Sequence, residues 1–155
     1  DLTLSVNSRR AFLKGAELLS RRAHGKAELT RKLTQKYPRE CAEQAADKLE
    51  KLGLINDGEF ADMLAQELYT HRKYGVSRVK QELLRRGIDR ALAEEAAERL
   101  DKDDLNRIIL LLQTKYRNNL GDEKGIIRTK NSLLRLGYSY SDIRAAFESI
   151  ENESF

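Results

Sequence analysis

Apolar residues recur along this chain at intervals close to the 3.6 residues of one helical turn. In its last third, five apolar residues stand at i, i+3, i+4, i+7 and i+11: Leu105, Ile108, Ile109, Leu112 and Tyr116. Side chains at that spacing lie on one face of a helix, which predicts a helix over about Asp103–Arg117. Similar stripes predict two earlier helices of the same kind, near Arg9–Arg22 and Asp57–Arg72.

The helical pattern repeats at a step of fifty residues, which is marked by Gly25, Gly75 and Gly125. The ten residues Arg78–Gly87 align with Arg128–Gly137 and are identical at six positions. The first copy is more diverged and keeps the spacing rather than the residues. We therefore predict an all-α fold, built as a tandem array of three three-helix repeats with about nine helices, elongated and curved.

The residues between these marks predict where the other helices begin and end. A second helix follows each repeat glycine and ends near Lys36, Arg86 and Leu136. A third helix begins in each copy near Pro38, Asp89 and Ser139. Two pairs have capping-box spacing at helix starts: Asn56 with Glu59, and Ser139 with Asp142. Gly87 and Gly137 stand where a helix C-cap needs a positive φ, and Asn118–Gly125 is predicted to be a loop.

These boundaries divide the chain into five segments. They are an N-terminal arm at 1–8, repeats at 9–53, 54–101 and 102–151, and a C-terminal tail at 152–155. In the arm, apolar and polar residues alternate, which fits either a short extended strand or a frayed tail.

Composition supports the helical prediction and limits the classes of function. Charged residues make up 35% of the chain and aromatic residues only 6%. The single cysteine, Cys41, excludes an internal disulfide and fits a reducing compartment. No apolar run is long enough for a membrane span. We therefore expect a soluble, cytoplasmic protein that is not bound to membranes, and we expect a monomer.

No catalytic constellation or cofactor motif is found in the sequence. His24 and His71 lie at helix ends, where a histidine can interact with exposed carbonyls, and neither has a His or Cys at i+4. Cys41 begins an apolar stripe, so a buried structural role is favoured over a nucleophilic one. Phosphate-binding glycine loops are also missing from the sequence. The prediction is a protein that is not an enzyme, with no cofactor and no metal.

Positive charge recurs at matching points of the repeat, at first-helix ends and along second helices. The net charge is only +4, because acidic residues gather on the third helices. We interpret the recurring cations as a candidate basic surface for a partner: Arg21, Arg22, Arg72, Lys73, Arg78, Lys80, Arg85, Arg86, Arg128, Lys130 and Arg135. For any single residue, an ordinary solvated cation near a helix C-terminus is the simpler interpretation.

Several stretches resemble the RecX regulatory family. They are Gly53–Ala61, Lys73–Ile88 and Arg22–Leu33, and their order and spacing match over about Arg10–Ile150. Where this chain has Gly25, the family usually has Ser. The resemblance implies a non-enzymatic regulator of the RecA recombinase that binds RecA and RecA–DNA filaments. It further implies inhibition of ATP hydrolysis, strand exchange and coprotease activity, and no catalytic residues to transfer.

Two alternatives remain open at this point. The first is a helical protein that binds nucleic acid directly, without RecA; weak direct binding to DNA is also compatible with the leading hypothesis. Direct binding without RecA is disfavoured because the third helices, which would enter a DNA groove, are acidic and a phosphate backbone repels them. The second alternative is a helical-repeat scaffold for an unrelated protein.

Overall fold

The structure, a computed structural model, describes residues 2–153. Within them the regular structure consists of nine α-helices and one short 3-10 helix: α1 Leu2–Arg21, α2 Lys26–Thr34, α3 Arg39–Lys51, α4 Asp57–Thr70, α5 Val76–Arg85, α6 Arg90–Glu98, α7 Asp104–Gln113, the 3-10 helix Arg117–Asn119, α8 Glu123–Arg135 and α9 Tyr140–Glu153. This confirms the prediction of an all-α chain with about nine helices.

Local capping residues explain several of the observed helix ends. The Ser139 hydroxyl accepts the Asp142 N–H at 3.1 Å before α9, and Asn56 Oδ1 accepts the Glu59 N–H at 3.1 Å before α4. Each bond satisfies a backbone donor that has no partner inside its helix. Gly87 and Gly137 have φ of 87° and 98°, which confirms both predicted C-caps.

The N-terminal segment differs from its prediction. Helix α1 begins at Leu2, so residues 2–8 are helical and do not form a separate arm. The Leu4 side chain packs on the core formed with α3, and Cys41 Sγ lies 3.7 Å from the Leu4 carbonyl oxygen. Packing on this apolar surface stabilises the first turns of α1. The alternation of apolar and polar residues in this segment does not predict a helix. At the other end, α9 continues to Glu153, so part of the predicted C-terminal tail is helical. Residues 1, 154 and 155 lie outside the described residues.

The start of α8 also corrects a prediction. The helix begins at Glu123, inside the predicted loop, and Asp122 is its N-cap, with Oδ1 accepting the Gly125 N–H at 2.8 Å. Gly125 therefore lies in the first turn of α8 and does not precede it, unlike Gly25 and Gly75. Helix α7 correspondingly ends at Gln113, earlier than predicted.

The chain divides into two compact units. Unit 1 contains the residues up to Leu64 together with Leu83–Ala96, and unit 2 contains Ala65–Glu82 together with the residues from Ala97 onward. Helices α4 and α5 contribute to both units, so the units do not coincide with the three predicted repeats.

Each unit has a core of buried aliphatic and small side chains. The core of unit 1 comes from α1, α2, α3 and the following turn: Ala11, Leu29, Leu33, Cys41, Ala42, Ala45, Ala46, Leu49 and Ile55. The core of unit 2 comes from α7, α8, α9 and the turns between them: Ile108, Leu111, Leu112, Tyr116, Leu133, Tyr138, Ile143 and Ala146. Each fully buried leucine contributes roughly 1.5–3 kcal/mol of transfer free energy. No helix within residues 2–153 is long and apolar enough to cross a membrane.

Candidate interaction surface

The predicted basic residues are distributed over both units. Unit 1 carries Arg21, Arg22, Arg85 and Arg86. Unit 2 carries Arg72, Lys73, Arg78, Lys80, Arg128, Lys130 and Arg135. Most are exposed, whereas four are partly buried: Arg78, Lys80, Arg86 and Lys130. Their contacts separate cations that pair within the chain from cations that face solvent.

In unit 1 the turn between α1 and α2, residues 22–25, has its charge neutralised; we refer to it as the first turn. Arg22 donates two hydrogen bonds to the buried carboxylate of Glu28, from Nη2 to Oε2 at 2.8 Å and from Nη1 to Oε1 at 3.2 Å. Burial raises the pKa of Glu28, but the paired guanidinium outweighs it and the net pKa is lowered. Arg21 pairs with Glu17 at 2.6 Å. Both predicted cations therefore have internal partners.

His24 is buried inside this first turn. Its Nδ1 lies 3.0 Å from the Arg22 carbonyl oxygen, and its Nε2 lies 2.9 Å from Lys32 Nζ. Because an ammonium group can only donate, Nε2 is the acceptor and Nδ1 carries the hydrogen. Burial lowers the pKa of His24; the hydrogen bond to the Arg22 carbonyl opposes this shift, and the positive charges of Arg22 and Lys32 add to it. His24 therefore has a structural role in the first turn. Residues 2–153 contain no group of three or more His, Cys, Asp or Glu side chains placed to hold a metal.

In unit 2 the turn between α4 and α5, residues 72–75, presents its charge to solvent; we refer to it as the second turn. Arg72 and Lys73 are exposed, and neither has an ion pair within residues 2–153. The backbone is held firmly: Tyr138 donates its hydroxyl hydrogen to the Lys73 carbonyl at 2.5 Å, and the Gly75 N–H donates to the Leu136 carbonyl at 2.8 Å. Lys73 itself has a positive φ of 62°, which such contacts must stabilise. The two cations thus extend from a fixed backbone.

Close backbone packing supports the second turn. A Cβ atom on Gly75 would lie 2.5 Å from the carbonyl oxygen of Gly137 and 2.7 Å from the backbone nitrogen of Tyr138. Only glycine allows this approach without moving a backbone segment. The repeat glycine at position 75 is therefore a packing requirement as well as a turn residue.

A partly buried polar network lies at the base of the second turn. The Tyr69 hydroxyl donates to Asp104 Oδ1 at 2.7 Å and accepts the Asp103 N–H at 2.8 Å. The Arg107 guanidinium stacks over the Tyr69 ring at 3.9 Å and donates from Nη2 to the Tyr69 carbonyl. Burial raises the pKa of Tyr69 to about 12; Asp104 adds to this shift, whereas the Asp103 N–H and the charge of Arg107 oppose it. The network fixes the C-terminal end of α4, from which Arg72 and Lys73 follow.

One recurring feature was missed by sequence reasoning. Asp57 Oδ1 accepts the Lys26 N–H at 2.8 Å, and Asp104 Oδ2 accepts the Val76 N–H at 3.2 Å. Each aspartate begins the first helix of the next repeat and caps the second helix of the preceding one. The recurrence of an acidic residue at the start of α4 and α7 is the signal that could have revealed it.

The remaining candidates of unit 2 have mixed roles. Arg78 donates from Nη1 to the Arg135 carbonyl at 2.6 Å and stacks over Tyr74 at 4.5 Å. Arg78 thus caps the C-terminal end of α8. Lys130 lies over the Phe147 ring at 5.0 Å, whereas Arg128 is exposed.

Family models match two stretches of the chain. The first three-helix domain of RecX matches residues 11–49, and the second three-helix domain of RecX matches residues 56–96. The regulatory protein RecX of Trichlorobacter lovleyi is 34% identical over 146 residues, covering 88% of this chain and 93% of the relative. The regulatory protein RecX of Clostridioides difficile is 28% identical over 142 residues, covering 90% of this chain and 67% of the relative.

Two solved structures share the fold. The RecX crystal structure from Lactobacillus salivarius superposes with a TM-score of 0.80 at 22% identity, covering 95% of this chain and 98% of that chain. A second crystal structure of a regulatory protein RecX gives a TM-score of 0.81 at 18% identity, covering 94% of this chain and 74% of that chain. At these identities the likeness supports the fold alone.

Proposed function

The chain belongs to the RecX family of regulatory proteins, and from this premise we propose that it binds RecA and RecA–DNA filaments and inhibits them. The inhibited activities would be ATP hydrolysis, strand exchange and SOS coprotease activity, so the protein would modulate DNA repair and recombination. In this proposal the protein acts by binding and performs no chemistry of its own.

The second turn is the observation that best supports a binding role. Arg72 and Lys73 are adjacent, exposed cations on a backbone held by Tyr138, Leu136 and close glycine packing. A preordered pair of cations loses less conformational freedom on binding an anionic surface than a flexible pair does. We propose that these two residues contact the acidic surface or the phosphates of the filament.

A titration of RecA-filament ATPase activity tests the proposal. Increasing amounts of the wild-type protein are expected to inhibit hydrolysis by RecA assembled on single-stranded DNA. The variant Arg72→Glu with Lys73→Glu is expected to need roughly tenfold more protein for half-maximal inhibition, since two favourable charges become repulsive. The matched control is Arg9→Glu with Arg10→Glu, which makes the same charge change on the exposed surface of α1.

Three outcomes separate the hypotheses. Absence of inhibition by the wild-type protein contradicts the proposed function as a whole. Full inhibition by the Arg72 and Lys73 variant, with its helical circular dichroism intact, contradicts only the role given to the second turn. Tight, steeply salt-dependent binding to bare DNA without any effect on RecA would instead favour direct nucleic-acid binding.

A further inference from the structure

Helix α8 exposes two large aliphatic side chains in unit 2. Ile127 is 55% exposed and Leu134 is 42% exposed. They stand seven residues apart, so they lie on the same side of the helix, about 10 Å apart along its axis. Both belong to a surface-facing stripe, because the buried residues of α8 are Thr129 and Leu133 on the opposite side.

Cations flank this aliphatic stripe on one side. At 100° per residue, Lys124, Arg128 and Arg135 follow Ile127 and Leu134 around the outer face of α8, and all three are exposed. On the other edge of the stripe lie one acidic residue, Glu123, and the partly buried Lys130. The outer face of α8 is therefore amphipathic, with an apolar ridge beside a basic ridge.

The other copies of the repeat lack this apolar ridge. The position of Ile127 is occupied by Ser77 fifty residues earlier and by Ala27 one hundred residues earlier. The position of Leu134 is occupied by Leu84 and Thr34, respectively. Leu84, unlike Leu134, is not strongly exposed. The aliphatic pair is specific to α8 and is not explained by the repeat pattern.

A groove adjoins the ridge at its C-terminal end. It has a volume of about 330 Å³ and lies between the start of α5 and the end of α8, with both walls in unit 2. Its lining includes both charged and apolar residues: Val76, Gln81, Asp104, Leu134, Arg135 and Tyr138. The groove is large enough to accept a bulky side chain of a partner beside Leu134.

We propose that the outer face of α8 binds an acidic amphipathic helix on the RecA partner, with Ile127 and Leu134 as anchors and Arg128 and Arg135 as charge partners. This proposal rests on the proposed function and assigns one basic surface to protein recognition. Two anchors separated by two helical turns match the i and i+7 positions of an opposing helix. The row of cations requires carboxylates beside the apolar stripe of that helix.

The aliphatic pair argues for a protein rather than a nucleic acid at this face. A phosphate backbone gains nothing from contact with Ile127 or Leu134, and its affinity would come from the cations alone. Burial of aliphatic surface against apolar side chains, by contrast, gives binding free energy that salt does not screen. Truncation of the two side chains therefore distinguishes the two classes of partner without changing any charge.

The test compares the wild-type protein with Ile127→Ala plus Leu134→Ala in binding RecA filaments on single-stranded DNA. The double variant is expected to weaken filament binding about tenfold, since apolar side chains that become buried at an interface centre carry much of the affinity. This loss should persist at high salt, whereas the loss from Arg128→Ala plus Arg135→Ala should shrink. Binding of a bare single-stranded oligonucleotide by the aliphatic variant should equal that of the wild-type protein.

The matched control is Leu13→Ala plus Leu110→Ala, which truncates two other exposed leucines, 60% and 59% exposed. Thermal unfolding checks that all variants remain folded. Wild-type filament binding by the Ile127 and Leu134 variant, an equal loss in the control, or an equal loss on bare DNA would each overturn this inference. Failure of the wild-type protein to bind RecA would overturn the proposed function together with it.

Discussion

The first and second turns have the same place in the repeat and opposite electrostatic roles. Both connect a first helix to a second helix, and both end at a repeat glycine. In the first turn Arg22 is bound by Glu28, and His24 is buried. In the second turn Arg72 and Lys73 remain exposed. The repeat thus keeps the backbone arrangement, while the charge it presents to solvent varies from copy to copy.

A single repeat position explains much of this difference. Glu28 and Arg78 are separated by fifty residues and occupy equivalent positions on α2 and α5. A carboxylate at this position binds the arginine of its own turn, whereas an arginine cannot and caps α8 instead. The charge of Arg72 is therefore exposed partly because position 78 holds an arginine, which cannot neutralise it.

Substitution of the two repeat glycines should give the largest difference between the turns. Gly75→Ala is expected to lower the free energy of unfolding by about 3 kcal/mol, because its Cβ would overlap the backbone of Gly137. Gly25→Ala should cost less than about 1 kcal/mol, since its Cβ would meet only the side chains of Phe60 and Ile88 at 3.4 Å. Urea unfolding of both variants measures the difference. Equal losses would show that the two glycines have the same role.

Removal of the hydroxyl that holds the second turn should have the next largest effect. Tyr138→Phe is expected to cost about 1–2 kcal/mol, because the Lys73 carbonyl loses its hydrogen bond in a partly buried site. Hydrogen exchange of the Tyr74 and Gly75 amides should become faster. Tyr140→Phe is the matched control, since Tyr140 is 61% exposed and should change stability by less than about 0.5 kcal/mol. Unchanged exchange in the Tyr138 variant would contradict a firmly held turn.

The contrast between the turns also shows which features the sequence could predict. Helix periodicity and the glycine C-caps depend on local backbone physics, so Gly87 and Gly137 were predicted correctly. The start of α1 at Leu2 was missed because packing of Leu4 on the core, and not local propensity, decides it. The pairing of Arg22 with Glu28 was not predicted either. Such pairing depends on the path of a turn, which residue spacing alone does not specify.

The neutralised charge of the first turn can be released by one substitution. Glu28→Gln leaves Arg22 without its ion pair, and the formal net charge rises from +4 by one. We expect a loss of about 1 kcal/mol in stability, kept small because the Arg22 side chain is 48% exposed and screened by solvent. Binding to single-stranded DNA at low salt should strengthen by about twofold.

The matched control for this release is Glu40→Gln, which makes the same charge change at an exposed position on α3. If both variants gain the same affinity for DNA, net charge rather than the freed Arg22 is responsible. A gain confined to the Glu28 variant would show that one ion pair keeps the first turn from acting like the second.

The smallest predicted effect is a pH dependence confined to the first turn. The pKa of His24 lies below its ordinary value of 6.5, mainly because of burial. The hydrogen bond to the Arg22 carbonyl and the charge of Glu28 oppose this shift, whereas the positive charges of Arg22 and Lys32 add to it. The unfolded chain therefore binds a proton more readily than the folded one, so the stability contribution is present above pH 6.5 and declines as the pH falls below it. Protonation would also remove the Nε2 acceptor of the bond from Lys32.

Urea unfolding between about pH 7.5 and 5.5, where carboxylates stay ionised, should show this decline in stability in the wild-type protein and in His71→Gln but not in His24→Gln. A decline that persists in His24→Gln would place the titrating group elsewhere and remove the buried histidine as a distinguishing property of the first turn.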